Sequence, residues 1–178
     1  MASAKPAVRD RMMTNGRGFT LVELIVVIAI MGILFSMALL SYQGIQQRND
    51  VEQKVKKMYA DLMNTRISAM QRGRDHFVSM PTGTTVYRVY EDGPPPDGDG
   101  KPDPITDTLV TTQSVAPYTL VLQTAAMSPV QFNAKGLVPG TTGWVRINST
   151  AAGEYDCVFI EQIKTGMGKF NGTTCIVK

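Results

Sequence analysis

Three sets of residues in this 178-residue chain have types and spacings that could do chemistry. The first is Asp97, Asp99 and Asp103 in "EDGPPPDGDGKPDPITD". Closely spaced carboxylates offer the hard oxygen ligands that hold calcium. Against a calcium loop of the EF-hand type, Lys101 stands where a ligand would help, the glycine spacing differs and no Glu closes the loop. The competing reading is an exposed Pro/Gly/Asp turn between two strands. The second set is Cys157 and Cys175, open to a disulfide or, with His76 and a further ligand, to a metal site. The third is Glu23, an ionisable side chain beside an uncharged run from Leu24 to Leu40. Two other patterns fail. "TGMGKFNGT" has Ile163 where a phosphate loop needs Gly and Phe170 where it needs Ser or Thr, so a turn between strands is expected there. His76 is the single histidine, lies next to Asp75, and has no G-x-S-x-G to serve; a surface position is expected for it. Nothing here argues for an enzyme.

Glu23 must be positioned by the element around it. No charge follows it until Arg48, and at ~1.5 Å per residue such a helix reaches across a ~30 Å hydrocarbon core. A carboxylate at that depth costs on the order of 2.5–3.5 kcal/mol, less near a helix end, so its retention calls for a function. A secretory signal cut after Ser36-Met37-Ala38, or a plain anchor held inside by Lys5, Arg9, Arg11 and Arg17, explains neither Glu23 nor a Gly18-Phe19 junction placed ahead of the apolar run.

The stretch "GFTLVELIVVIAIMGIL" resembles the type III signal of type IV pilins and type II secretion pseudopilins. The resemblance implies that a prepilin peptidase cuts after Gly18 on the cytoplasmic side, and that Phe19 is then N-methylated with the apolar helix retained. It implies that Glu23 faces the N-terminal ammonium of a neighbouring subunit, two charges that are costly alone and neutralise each other in low dielectric. The implied partners are other pilin or pseudopilin subunits, the peptidase, an inner-membrane assembly platform and the membrane itself. The implied location is the bacterial inner membrane, N-terminus inward, and then a periplasmic or extracellular filament. Many pilins carry a proline near the end of the apolar segment; "MALLSYQG" has none, and Gly32 and Gly44 remain as weak points in the helix. In a chain carried across the membrane by such a leader, Cys157 and Cys175 are expected to pair, and closing that loop is worth ~3 kcal/mol in the chain-entropy model.

The leader holds Lys5, Arg9, Arg11, Arg17 and Asp10, so the formal charge of +3 falls to zero without it. A neutral mature chain makes nucleic acid an unlikely partner class, since phosphate binding needs a concentrated cationic face. The expected organisation is a leader at 1–18, a membrane and filament-core half-helix at 19–42, an amphipathic stem at 43–73 and a β-domain at 74–178. In the stem, Val51, Val55, Met58, Leu62 and Ala69 form one apolar stripe, and Gly73 supplies the stop. Beyond it, "HFVSM", "TVYRVY", "TLVTT", "YTLVLQ", "VQFN", "WVRIN", "YDCVFIE" and "TCIVK" are short, β-branched or aromatic, and bounded by turn residues. One long helix followed by many short strands predicts an α+β fold, with antiparallel sheet packed on the stem.

"LMNTRISAMQRG", "VQFNAKGLVPG" and "YDCVFIEQIKTGMGKFNGTTC" are similar to the H-type (GspH/FimT) branch of pseudopilins and minor pilins, including its F-x-x-x-G element at Phe132–Gly136. Where that branch shows an Arg-containing late motif, this chain offers Lys164 or Lys169. The resemblance implies a non-enzymatic filament subunit, a minor pilin or pseudopilin. A DNA-uptake minor pilin binding DNA through the β-domain, a major pilin, and an anchored periplasmic domain that never assembles are the rival readings.

Overall fold

The computed structural model describes residues 18–94, 98–103, 105–151 and 153–178, and for 37–41 the backbone alone. The chain divides into two units, Met1–Ser41 and Tyr42–Lys178. One helix, α1, Leu21–Arg72, contributes to both. In the first unit its side chains, Glu23 apart, are overwhelmingly apolar and are exposed on every side, from Leu21 (74%) to Phe35 (71%). A helix that is hydrophobic all round is built for an apolar surrounding. The side chains described from Leu21 to Ser36 span about 24 Å, and among the described residues no helix is long and apolar enough to cross a membrane.

The second unit is organised by the stem. Val51, Val55, Met58, Leu62 and Ala69 are fully buried, as their spacing predicts. Thr65 continues the stripe although it is polar, because its hydroxyl donates to the carbonyl of Asp61 (2.6 Å) and so enters the core satisfied. The helix stops at Gly73, whose φ of 64° lets the Arg74 N–H reach back to the carbonyl of Ala69.

Among the described residues nine strands follow: β1 His76–Ser79, β2 Val86–Glu91, β3 Thr108–Ser114, β4 Thr119–Leu122, β5 Val130–Phe132, β6 Gly143–Asn148, β7 Cys157–Ile160, β8 Thr165–Phe170 and β9 Cys175–Val177. They form two antiparallel sheets, of order β3-β2-β1-β5 and β4-β6-β7-β8-β9. The α+β expectation holds. One core joins the stem stripe to both sheets, taking Val78, Val89 and Phe132 from the first and Leu120, Val145 and Ile160 from the second. Alternation along β2 is as read from "TVYRVY": Tyr87 and Val89 are buried while Arg88 is exposed.

Ties at both sheets hold the stem. Tyr87 donates its hydroxyl to Asp61 (2.6 Å), and burial, with the Asp61 bond next, pushes the phenol far above its ordinary value of 10.0. Arg66 donates to the carbonyl of Ile163 (2.7 Å), and Arg72 pairs with the buried Glu91. The F-x-x-x-G element is a tight turn. Asn133 accepts from Lys135 and Leu137 through its side chain, and Gly136 takes a φ of 72° directly over Met70. A Cβ at Gly136 would lie 2.7 Å from the Met70 sulfur.

Two expectations are corrected. His76 is buried, not on the surface, with Nδ1 3.2 Å from the carbonyl of Arg74. "TGMGKF" is a strand, β8, rather than a turn; the turn is the "NGTT" that follows. Glycine normally weakens a strand, which hid this one, but here each glycine makes room for a neighbour. A Cβ on Gly166 would lie 2.4 Å from the Phe159 ring, and one on Gly168 would lie 2.2 Å from the backbone oxygen of Ile176. A ring can turn aside more easily than a paired strand. Gly168→Ala is therefore expected to lose about 3 kcal/mol and Gly166→Ala about 1–2 kcal/mol in denaturant unfolding. Equal losses would contradict this account of β8.

Candidate functional site

Gly18, Phe19 and Thr20 are exposed and lie outside the helix, leaving the Gly18–Phe19 bond in open backbone. Phe19 is 80% exposed. Thr20 then starts the helix: its hydroxyl accepts the N–H of Glu23 (3.2 Å), and its carbonyl accepts that of Leu24 (3.2 Å). Thr20-Leu21-Val22-Glu23 has the T-x-x-E spacing of a capping box, a signal available in the sequence alone. Glu23 sits in the first turn, where the unsatisfied N–H groups favour negative charge. Its neighbours are exposed and apolar: Val22, Leu24, Ile25 and Val26. The structure thus gathers an accessible Gly18–Phe19 bond, a capped helix start and one carboxylate at the head of an apolar helix.

At the far end of the chain, Cys157 on β7 and Cys175 on β9 form a disulfide with a Cα separation of 6.0 Å. It straddles β8, and Gly168 lies beneath it: a Cβ there would come within 2.9 Å of the Cys175 sulfur. On the same face Trp144 packs on Phe170 at 4.7 Å between ring centroids, and the guanidinium of Arg146 lies 4.4 Å above the Phe170 ring. Lys164 covers Phe159 at 5.6 Å. Arg146 was not legible from the sequence as part of this face, because it becomes a neighbour of Phe170 only through sheet order.

The acidic segment is distributed differently. Asp97 lies outside the described residues. Asp99 accepts the backbone N–H of Lys101 (2.8 Å) and pairs with that lysine's ammonium (3.7 Å). Asp103 accepts the N–H of Ile105 (2.9 Å), while its own N–H donates to the Asp107 carboxylate (2.7 Å). These are turn-forming bonds. The loop also lies over the first sheet, where Pro102, Asp103 and Asp107 line a small cavity with Phe77 and Tyr90. Gln131 fastens it by donating to the Gly100 carbonyl (3.0 Å) and to Asp75 (2.6 Å). Among the described residues no group of three His, Cys, Asp or Glu side chains gathers as metal ligands do.

Three comparisons with known proteins bear on this arrangement. Residues 13–39 match the family model of the prokaryotic N-terminal methylation motif. The type II secretion system core protein G of Aeromonas hydrophila is 34% identical over 84 residues, covering 43% of this chain and 59% of that protein. The chain therefore spans about 59% of the length of that curated relative. The solved structure of the minor pseudopilin EpsH from the type 2 secretion system of Vibrio cholerae is similar in fold, with a TM-score of 0.50 and 13% identity, over 67% of this chain and 97% of that one. The N-terminal segment thus carries the methylation motif of that family model, and the chain is similar to type II secretion pseudopilins in sequence and in fold. Its helix and paired antiparallel sheets are similar in fold to that minor pseudopilin.

The geometry of the acidic loop generates a calcium test. With Asp99 and Asp103 already engaged by backbone donors, the melting temperature is expected to stay flat from micromolar to millimolar calcium. An ion held by Asp97, Asp99 and Asp103 would instead stabilise the fold by ~2.7 kcal/mol at a hundredfold excess over Kd. That corresponds to a rise of several degrees, abolished by EDTA and by Asp99→Ala.

Proposed function

We propose that this chain is a non-enzymatic subunit of a type II secretion pseudopilus, a minor pseudopilin that assembles through its N-terminal helix. The observation that carries the reading is the first unit: an apolar helix exposed on every side, headed by a capped Glu23 and an open Gly18–Phe19 junction. Before assembly this helix lies in the inner membrane with its N-terminus inward. The sequence extends the uncharged run beyond Ser36 to Gln47, which supplies the remaining length of a span. After assembly the neighbouring helices replace lipid, and each Glu23 meets a methylated Phe19 ammonium. The two pseudopilin relatives support secretion over the second reading, a minor pilin of a type IV pilus.

Processing tests the reading first. Mass spectrometry of the N-terminal peptide is expected to find a chain that starts at methylated Phe19; an intact Met1 or a start after Ala38 would refute it. Glu23→Ala then separates insertion from assembly. Membrane insertion is expected to be unchanged or improved, because a charge leaves the bilayer. Recovery in sheared filament fractions is expected to fall, and normal recovery would remove the pairing from the account.

A further inference from the structure

Among the described residues the first sheet ends at β3, beside a polar flank of the stem. Asp50, Lys54, Lys57, Asp61, Asn64 and Ser68 recur at spacings of four and three, forming a polar flank beside the buried stripe. Two cavities lie along this flank. One, of about 180 Å³, lies between Asp50, Lys54, Lys57 and the end of β3 at Ser114. The other, of about 230 Å³, lies between Asp61, Asn64, Ser68 and Val110, Thr111 and Gln113 of β3, with His76 in its lining. Both open where the sheet ends.

That end is β3, the longest strand, which among the described residues has a sheet partner on one side only. Its sequence, "TLVTTQS", has no charge, no proline and no glycine, and Leu109 and Val110 are each 51% exposed. Edge strands are ordinarily guarded by charge, proline or bulges. The register does shift once, opposite Val89 and Tyr90, but Thr111 to Ser114 run regularly beyond it. The charges of the groove wall are already neutralised within the helix, Lys54 by Asp50 (3.8 Å) and Lys57 by Asp61 (3.7 Å). The occupant these features select is an extended, uncharged backbone with hydroxyl or amide side chains at alternate positions, facing Asn64 and Ser68.

We infer that β3 and the adjoining stem groove receive an extended strand of a neighbouring filament subunit, which completes the first sheet as a fifth strand. This rests on the filament reading. Two-fold pairing of β3 with the β3 of a second copy is excluded by that reading, because it would set the two stems antiparallel while both chains are anchored in one orientation.

The test uses the full chain in membranes of cells that assemble the filament, with a photo-crosslinking residue placed in turn at Thr112, Asn64 and Phe35. Adducts from Thr112 and Asn64 are expected to map to one extended segment of the same subunit. Thr111→Lys on the strand and Ser68→Lys on the stem wall should each reduce both adducts about tenfold without lowering the melting temperature. The Phe35 adduct, which reports helix packing, should remain. Absence of the Thr112 adduct while the Phe35 adduct forms, adducts that map to helix, or insensitivity to both lysines would overturn the proposal. Loss of all three adducts would overturn the filament reading itself.

Discussion

The contact on which the rest of this molecule depends is the burial of one stripe of the stem, Val51 to Ala69, beneath two sheets at once. The first has four strands and the second five, and each needs an apolar face covered to stay folded in water. The helix supplies that cover to both, which is why its few polar ties, Tyr87 to Asp61 and Arg66 to Ile163, run to different sheets. The stem's second flank has a different character. It is polar, internally neutralised and uncovered along the edge of the first sheet.

The N-terminal unit follows the opposite logic. Its apolar side chains are exposed, and exposure over such an area would be intolerable in water. Thr20 fixes where that helix begins, so that Phe19 and Gly18 stay outside it and Glu23 falls in its first turn. A small capping interaction therefore sets the register of the Gly18–Phe19 bond and of the Glu23 carboxylate together.

Much of this was legible in the sequence, for identifiable reasons. The stem stripe, eight of the strands and the α+β class follow from periodicity, because burial of one face imposes a period of 3.6 or 2 on the residues that carry it. The resemblance of "GFTLVELIVVIAIMGIL" to pilin signals supplied the family, which the comparisons bear out. What escaped the reading depends on contacts between distant residues. Strand β8 was hidden because Gly166 and Gly168 answer to Phe159 and Ile176, not to local propensity. His76 looked superficial because nothing near it in sequence reveals that β1 lies inside the sheet, between β2 and β5. Thr65 is absent from the apolar stripe read in the sequence because its bond to Asp61 belongs to the folded helix. The capping role of Thr20 was there to be read in T-x-x-E, but the apolar run that follows drew attention to the carboxylate instead.

The bridge from Cys157 to Cys175 has a mechanical consequence. β9 is a three-residue strand at the margin of its sheet, close to the last residue, and a pull on such a strand would ordinarily peel it away one hydrogen bond at a time. The covalent link passes over β8 and hands the load to β7, which is held by neighbours on both sides. Tension at this margin must therefore be borne by several strands in shear at once, a much stiffer response than unzipping. The outermost strand of the second sheet is kept in place by this load path.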